Sequence, residues 1–503
     1  MLVLALDIGT SSCRTALFDE RGVRQSSTTA QQAYTLHTDH QGCAELDPPT
    51  LLAAVTGCIG RTLAAQAVDR RLRDRAIAAV GTSCFWHSLI GCDAAGSPLT
   101  PVITWADSRC RDDAERLRRT LDERLVHRRT GCMLRSSFWP AKLRWLARTR
   151  RPVVRQVRHW MTPAEWIYLM LCGERRCAHG MATGTGLYSP SSCAWEPGML
   201  RSSGISIEQL SPIADAALHL LPRHRKRLAT VGEADWFPAI GDGAASNLGS
   251  GATRPGLAAL NFGTSAAVRV MHSDARASRP QAPFGLFCYR VDERRFLIGG
   301  AISNAGNLRA WCLRELNLGA DEAEIEHALS RQAGPDQALA VLPFWNAERA
   351  PTWREDVSGA IVGIRQSTTA LDLLQAITEA TYHRLATIIE RMDSGAGSPR
   401  FIVGGGIQKS PTSLQRLADV LGQPLTVLDE PEASLRGAAV FALEKLGCDG
   451  RLSSVAGSTV RPDRRRAERF AQARQQLAQL EGTLFPDGEG RRLRRPLRRT
   501  KRP

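Results

Sequence analysis

The 503-residue sequence lacks long apolar runs. Its longer runs, such as Leu2–Leu6, have the length of a strand, whereas a membrane-spanning helix needs about 20 apolar residues. The start of the sequence also lacks the basic region of a secretory signal peptide, and Asp7 interrupts the first apolar stretch. The sequence therefore predicts a cytoplasmic protein without a membrane segment.

Cys-x-x-Cys pairs are missing as well, although the chain has 13 cysteines. Their number is odd, and they are scattered from Cys13 to Cys448. Neither a disulfide scaffold nor a zinc site has this spacing. We therefore expect reduced, mostly buried thiols and no bound zinc.

Acidic residues are absent from the last thirteen positions, Arg491–Pro503, which hold eight lysines and arginines and so half of the net charge of +16. A basic terminus either binds nucleic acid or an anionic surface, or is a solvated and disordered tail. We favour the tail, because no basic surface with interleaved aromatic residues occurs elsewhere. Nucleic acid is therefore not an expected partner.

The Walker sequence G-x-x-x-x-G-K-[ST] is absent, which excludes a P-loop. Instead, two segments resemble each other: LVLALDIGTSSCRTALFDERG at Leu2–Gly22 and LAALNFGTSAAVRVM at Leu257–Met271. Each reads as an apolar strand, a Gly-Thr-Ser turn and a second strand, and so predicts a β-hairpin. One hairpin in each half of the chain indicates a duplication into two similar domains.

Length and composition agree with two α/β domains. With 43% hydrophobic and 23% charged residues, a chain this long exceeds one ordinary core. Strand-like runs alternate with helical periodicity, as at Asp112–Arg124 and Pro462–Leu480. The glycine-rich segment Gly241–Gly256 is interpreted as a hinge. We place the domains at 1–250 and 251–450, followed by a charged tail at 451–503.

The two Gly-Thr-Ser turns have a chemical interpretation. Glycine lets the backbone approach a ligand, and successive N–H groups with hydroxyls can hold phosphate oxygens. Asp7, at the end of the first strand, could ligate Mg²⁺ beside such phosphates, or could only bond the amides of its own turn. Arg14 could neutralise phosphate charge, or be a solvated strand residue.

Asp242 lies between two glycines in PAIGDGAASNLGSGA. Phosphoryl transfer to an alcohol needs a carboxylate that accepts the hydroxyl proton, and flanking glycines would give the reactants room. The alternative is an ordinary Asp-Gly turn. The sequence of this segment alone does not distinguish them.

Two clusters follow predicted strands: Trp86 and His87, then Trp105 and Asp107. Polyol recognition uses aromatic faces for C–H surfaces and polar groups for hydroxyls. The same residues could instead be packed structural side chains. The run FIVGGGIQKSPTSL, which begins at Phe401, combines a strand, three glycines and a helix, and its backbone would let a flat purine lie close.

In order along the chain, DIGTSSCRTALFDERG, NFGTSAAV, the triple-glycine segment and EASLRGAAVFAL resemble motifs of the FGGY carbohydrate kinases. The resemblance spans about residues 2–445 and implies two actin-like (ribonuclease-H-like) α/β domains with ATP in the cleft between them. It implies Asp242 as the catalytic base, Asp7 near Mg²⁺, and Trp86, His87, Trp105 and Asp107 as the residues around the sugar. The nucleotide contacts that it implies are Thr10, Ser11, Ser12, Arg14, Thr264, Gly306, Gly406 and Ser410.

The motifs HSLIGCD, VITWADSR, ERAPTW and Asp242-Gly243 are most similar to the gluconokinase branch of the family. Trp86 departs from that branch, where methionine is expected before the histidine. Gluconate is therefore the first expected substrate, with Arg109 or Arg135 as partners for its carboxylate. Another polyol, a ketopentose such as xylulose or ribulose, and an actin-like ATP-binding sensor without kinase activity stay open, as does a homodimer.

Overall fold

The computed structural model describes residues 1–273, 280–332, 339–392, 398–455 and 457–486. The basic segment 491–503 lies outside these ranges, so its interpretation as a solvated tail stays a prediction.

A mixed sheet forms around the first predicted hairpin, whose two strands pair antiparallel. Within the described residues its order is β12-β6-β1-β2-β3, and β13 also pairs with β6. The strands of the first half are β1 (Leu2–Ile8), β2 (Ser12–Asp19), β3 (Arg24–Ala33), β4 (His37–Thr38), β5 (Ala44–Leu46), β6 (Ile77–Cys84), β7 (Ile90–Cys92), β8 (Val102–Ile103), β9 (His159–Met161), β10 (Tyr188–Ser189), β11 (Ala194–Trp195), β12 (Asp235–Trp236) and β13 (Ile240–Gly241).

A second sheet forms around the second predicted hairpin, with the order β16-β17-β15-β14-β20-β21-β22 among the described residues. In both sheets the first hairpin strand also pairs in parallel with a later strand, β1 with β6 and β14 with β20, as a duplication predicts. The strands of this half are β14 (Leu257–Phe262), β15 (Ala266–Ser273), β16 (Phe287–Arg290), β17 (Arg295–Ile302), β18 (Ala340–Leu342), β19 (Ala360–Val362), β20 (Arg400–Gly404), β21 (Leu425–Leu428) and β22 (Gly457–Val460).

Helices cover the sheets, and many begin at proline, whose fixed φ suits the first helical turn. They are α1 (Pro48–Val68), α2 (Arg111–Thr120), α3 (Glu123–Thr130), α4 (Trp139–Thr149), α5 (Arg151–Gln156), α6 (Pro163–Cys172), α7 (His179–Ala182), α8 (Pro197–Ser203), α9 (Pro222–Arg227), α10 (Asp242–Ser250), α11 (Gly306–Glu315), α12 (Glu322–Arg331), α13 (Ala370–Met392), α14 (Pro411–Leu421), α15 (Ala433–Lys445) and α16 (Arg464–Leu484).

Two details differ from the sequence analysis. The segment predicted as a glycine-rich hinge begins with the helix α10, because its small residues pack tightly rather than remain loose. The helix predicted at Asp112–Arg124 is two helices, since Asp122 caps the start of α3 by accepting the N–H of Leu125.

Among the described residues, one helix, α1, is long and apolar enough to cross a membrane by length and composition alone. The sequence analysis did not single it out. One face of α1 packs into the first core through Leu51, Val55 and Ile59. Its Thr62 hydroxyl bonds to Thr15 of β2 at 2.7 Å, so this face is a structural part of the first half.

The helix α15 belongs to the predicted second domain, yet it packs into the core of the first sheet. Glycine makes this possible: a Cβ on Gly437 would lie 1.7 Å from the Ala245 carbonyl oxygen in α10. On Gly81 of β6, a Cβ would lie 2.0 Å from the carbonyl oxygen of Ala438. The backbones of α10, α15 and β6 therefore touch, and the last helix of the 251–450 range joins the two halves.

The close contact between the backbones of α10 and α15 predicts that a Gly→Ala substitution has opposite effects on stability at two helical glycines. Gly437→Ala should destabilise the protein by about 1–3 kcal/mol, because a backbone must move. Gly60→Ala in α1, where no atom lies within 4 Å of the new methyl group, should stabilise it by up to about 1 kcal/mol. Urea unfolding of both variants measures the difference, and a neutral Gly437→Ala would contradict the close contact.

Candidate active site

A cavity of about 330 Å³ lies between the two hairpins and takes residues from both halves. It brings together six residues singled out from the sequence: Thr10, Trp86, His87, Trp105, Asp242 and Thr264. It also contains Arg269, Phe287 and Tyr289, which the sequence analysis missed, and Arg349 and Trp353 of the ERAPTW motif, to which it assigned no role.

Asp242 begins α10, directly after β13, and is therefore not part of an Asp-Gly turn. Its Oδ1 accepts the Gly243 N–H at 2.7 Å, and a helix N-terminus favours a carboxylate. Burial raises the pKa of Asp242 above its ordinary value, and the nearby charge of Arg269 opposes the rise. A carboxylate with a raised pKa is a stronger proton acceptor when ionised.

Trp86 explains the glycines on both sides of Asp242. A Cβ on Gly241 would lie 1.8 Å from the indole Cε2, and one on Gly243 would lie 2.6 Å from Cζ3. The indole N–H donates to the carbonyl of Gly180 at 2.7 Å, which fixes the ring. The tryptophan before His87 and the glycine after Asp242, both singled out in the sequence, therefore belong to one steric arrangement.

His87 has a backbone φ of 66°, and its Nδ1 lies 2.5 Å from the Gly184 carbonyl oxygen. Burial lowers the pKa of His87 to about 3, so the ring is neutral near pH 7. A carbonyl only accepts, so Nδ1 carries the hydrogen and Nε2 is an acceptor. The buried Lys142 donates to the carbonyl of His87 at 2.9 Å and so supports this backbone conformation.

Arg269 and Arg349 bring positive charge into the cavity. Across the part of the chain that the structure describes, Arg269 Nε and Nη1 and Arg349 Nε are buried without a hydrogen-bond acceptor. The Arg349 guanidinium lies 5.6 Å from the ring centroid of Trp105, and burial lowers its pKa to about 10. Two guanidinium groups thus face one carboxylate, Asp242. A lone charge within the apolar strand AAVRVM was the available signal for Arg269.

Asp107 does not line this cavity. Its side chain is fully buried, accepts from the Arg109 guanidinium at 2.7 Å and accepts the Ala44 N–H at 3.0 Å. Arg109 also pairs with Glu45. Asp107, Glu45 and Cys43 are close enough to surround an ion, but Arg109 already neutralises the two carboxylates.

The arginines first considered for a substrate carboxylate are both engaged elsewhere. Arg109 takes part in the ion pairs just described, and Arg135 bonds to Glu123 and to the Trp353 carbonyl. Neither is among the residues that line the cavity, whereas Arg269 and Arg349 are.

A larger cavity of about 840 Å³ lies in the second half and meets the first at Gly263 and Thr264. The sequence-predicted residues Thr264, Gly306, Gly406 and Ser410 all line it, together with Arg309 and Lys409.

Three glycines shape this larger cavity. Gly405 has a φ of 97°, and a Cβ there would lie 2.5 Å from Asn261 Oδ1, so glycine is required. A Cβ on Gly306 would lie 2.5 Å from the carbonyl oxygen of Gly263. At Gly406 the nearest atom lies 3.9 Å away, which leaves a bare backbone surface suited to a flat ring.

The serines selected from the sequence have other partners. The Ser410 hydroxyl donates to the Glu326 carboxylate at 2.8 Å and caps α14 by accepting the Ser413 N–H. Ser11 and Ser12 shape the first hairpin turn through their carbonyls and are not part of the lining of either cavity as the described residues define it. The hydroxyls of Ser410 and Ser12 are therefore already engaged, Ser12 with the side chain of Gln31, whereas Ser11 is exposed.

Asp7 and Arg14 face each other across the first hairpin and line a third cavity of about 150 Å³. Arg14 Nη1 lies 4.0 Å from Asp7 Oδ2 and 3.3 Å from Glu432 Oε2. Burial raises the pKa of Asp7 to about 6, and the charge of Asp242 adds to this effect. Carboxylate oxygens are the ligands that Mg²⁺ prefers, so the side chains of Asp7 and Glu432 fit that ion.

Known proteins are similar over nearly the whole chain. The gluconokinase of Bacillus subtilis (strain 168) is 26% identical over 479 residues, which cover 91% of each chain. A glycerol kinase of Alkalilimnicola ehrlichii is 29% identical over 463 residues, covering 89% of this chain and 91% of the relative. The xylulose kinase and the gluconate kinase of Lactobacillus acidophilus both superpose with a TM-score of 0.88 at 24% identity, over 97% of this chain and 99% and 98% of theirs.

These likenesses confirm the predicted two-domain, actin-like α/β fold. Residues 2–241 match the N-terminal domain of the FGGY family of carbohydrate kinases, and residues 258–445 match its C-terminal domain. The chain therefore belongs to the FGGY family of carbohydrate kinases.

Proposed function

We propose that this kinase transfers the γ-phosphoryl group of ATP to a hydroxyl of a sugar acid, with gluconate as the first candidate. The observation that carries the proposal is the pair Arg269 and Arg349, which line the cavity beside Asp242 and have N–H groups without an acceptor among the described residues. A substrate carboxylate would satisfy these donors, because guanidinium groups bind carboxylates through charge-assisted hydrogen bonds. The similarity to gluconokinases supports the same substrate class.

In this proposal Asp242 accepts the proton of the substrate hydroxyl, whose oxygen then forms the bond to the γ-phosphorus as the bond to the ADP oxygen breaks. His87 Nε2 accepts a second hydroxyl, and Trp86 and Trp105 cover C–H surfaces of the substrate. Asp107 acts only indirectly, since it holds Arg109 rather than the cavity wall.

The larger cavity is the proposed nucleotide site, and the shared residues Gly263 and Thr264 mark the place where its phosphates would approach the substrate. The proposed nucleotide contacts are Thr10, Ser11, Ser12, Arg14, Thr264, Gly306, Gly406 and Ser410. Mg²⁺, held near Asp7, would supply charge neutralisation for the phosphates.

The domain ranges 1–250 and 251–450, a cytoplasmic location and a small-molecule partner instead of nucleic acid are part of the same proposal. A ketopentose or polyol kinase is the second candidate, favoured by the likeness to a xylulose kinase and glycerol kinases. The two candidates differ in charge, since only a sugar acid needs Arg269 and Arg349.

An ADP-release assay with gluconate, xylulose, ribulose, glycerol and erythritol tests the substrate class. We expect the highest kcat/KM with gluconate. Higher turnover of a neutral sugar would reject the sugar acid, and ATP hydrolysis that no sugar accelerates would favour an ATP-binding sensor.

Asp242→Asn should abolish phosphoryl transfer, because the amide cannot accept the hydroxyl proton. We expect a loss of at least about 100-fold in kcat, with the affinity for ATP within a factor of two, since Asp242 does not line the nucleotide cavity. Single-turnover kinetics and ATP titration measure the two quantities. Near-normal kcat in the variant would remove Asp242 from the role of base.

Arg349→Met should lower kcat/KM for gluconate by about 30-fold or more, the effect of removing one partner from a buried, charge-assisted pair. Any turnover of glucitol, which has a neutral CH₂OH in place of the carboxylate, should change far less. Steady-state kinetics with both substrates provide the comparison. An equal loss with both would show that Arg349 does not recognise the carboxylate.

A further inference from the structure

The helix α16 lies beyond the residues that match the family's domains, which end at 445. It is anchored on the second half by Phe470, which is fully buried in that core. Along its length, Arg466 pairs with Asp419 at 2.7 Å, and Arg474 pairs with Glu390 at 2.9 Å. These contacts hold the helix against α13 and α14.

The end of α16 makes a different set of contacts, which lead toward the substrate cavity. Glu481 accepts from the buried guanidinium of Arg384 on α13, and that guanidinium also donates to Glu348. Glu348 is 6% exposed, and the Thr352 hydroxyl bonds to it as well. One buried arginine thus joins the C-terminal helix to the residue that precedes Arg349.

The segment 342–357, which we name the arginine segment because it carries Arg349, also touches α16 directly. The ring of Phe344 meets that of Phe485 with centroids 5.9 Å apart. Arg354 donates to the Phe485 carbonyl at 2.6 Å. An apolar cluster of Leu342, Phe344, Val357, Ala360, Leu477, Leu480 and Phe485 surrounds these contacts.

Short backbone bonds shape the arginine segment itself. The Trp353 N–H donates to the carbonyl of Arg349 at 2.6 Å, and the Glu348 N–H donates to that of Arg354 at 2.9 Å. Arg349 and Trp353 both reach the substrate cavity from this fold of the chain. The Arg349 guanidinium also donates to the Ile302 carbonyl at 3.3 Å, and Glu348, its neighbour in the chain, is a second point that holds this part of the segment.

We propose that Glu481, Arg384 and Glu348 are positioning residues for Arg349, so that the C-terminal helix sets the affinity of the kinase for its acidic substrate. The inference rests on the proposed function for the nature of the substrate, but the mechanical link between α16 and the arginine segment does not. None of the three residues lines the substrate cavity, so their effect passes through the backbone of the segment.

The charges around Arg384 indicate how a change at Glu481 reaches Glu348. Arg384 lies between two carboxylates, and burial raises the pKa of Glu348 while the charge of Arg384 opposes the rise. Without the charge of Glu481, the guanidinium loses one anchor on α16 and can follow Glu348 as the segment moves. Leaving a buried ion without one of its partners is costly, so the network should loosen.

The test compares Glu481→Gln with Arg474→Ala in the full chain. Both variants lose an ion pair of α16, but Arg474 contacts Glu390 and the Val420 carbonyl rather than the arginine segment. For Glu481→Gln we expect a rise of about tenfold in KM for gluconate, with kcat and the KM for ATP within a factor of two. For Arg474→Ala we expect unchanged kinetic constants.

Hydrogen exchange of the free enzyme provides a readout without substrate. Glu481→Gln should accelerate exchange at the amides of Glu348, Ala350 and Trp353, and Arg474→Ala should not. Unchanged exchange and unchanged KM in Glu481→Gln, or equal changes in both variants, would overturn the inference. If the wild-type enzyme phosphorylates no sugar acid, the proposed function fails, and the exchange data still decide whether α16 positions the segment.

Discussion

The contact of three backbones, those of β6, α10 and α15, determines where Asp242 lies. Gly81 and Gly437 allow this contact, because a side chain at either position would occupy the space of a carbonyl group. Asp242 begins α10, so the depth at which α15 packs fixes the carboxylate relative to both hairpins. The remaining parts of the cavity, including Trp86 and Arg269, are arranged around that fixed point.

The pair of hairpins and the α/β class could be predicted from the sequence, because alternating strands around Gly-Thr-Ser are a local pattern that local rules describe. The helix α10 could not, since its glycines, serines and asparagine favour a turn or loop when considered alone. Its helical form depends on close packing against α15, nearly 200 residues later in the sequence. The local hydrophobic periodicity of a segment does not report contacts with residues that lie so far away in the sequence.

The candidate site, too, could be predicted from the sequence only in part. Asp242, His87 and Trp105 follow strands or motifs, and the structure brings them together. Asp107 also follows a strand, but a neighbouring arginine and a backbone amide take up its carboxylate. The sequence analysis assigned no role to Arg269 or Arg349, because an arginine in a sequence is usually a solvated charge, and only the fold shows that both line the cavity.

The position of α15 has a consequence for the order in which the protein is made. The first sheet and its hairpin are complete within the first 250 residues, but Leu435, Val440 and Phe441 of α15 are part of its apolar core. Until the ribosome has released these late residues, the first half exposes the apolar surface that they cover. The nascent chain therefore has a long interval in which a chaperone, or another copy of the same chain, can bind that surface.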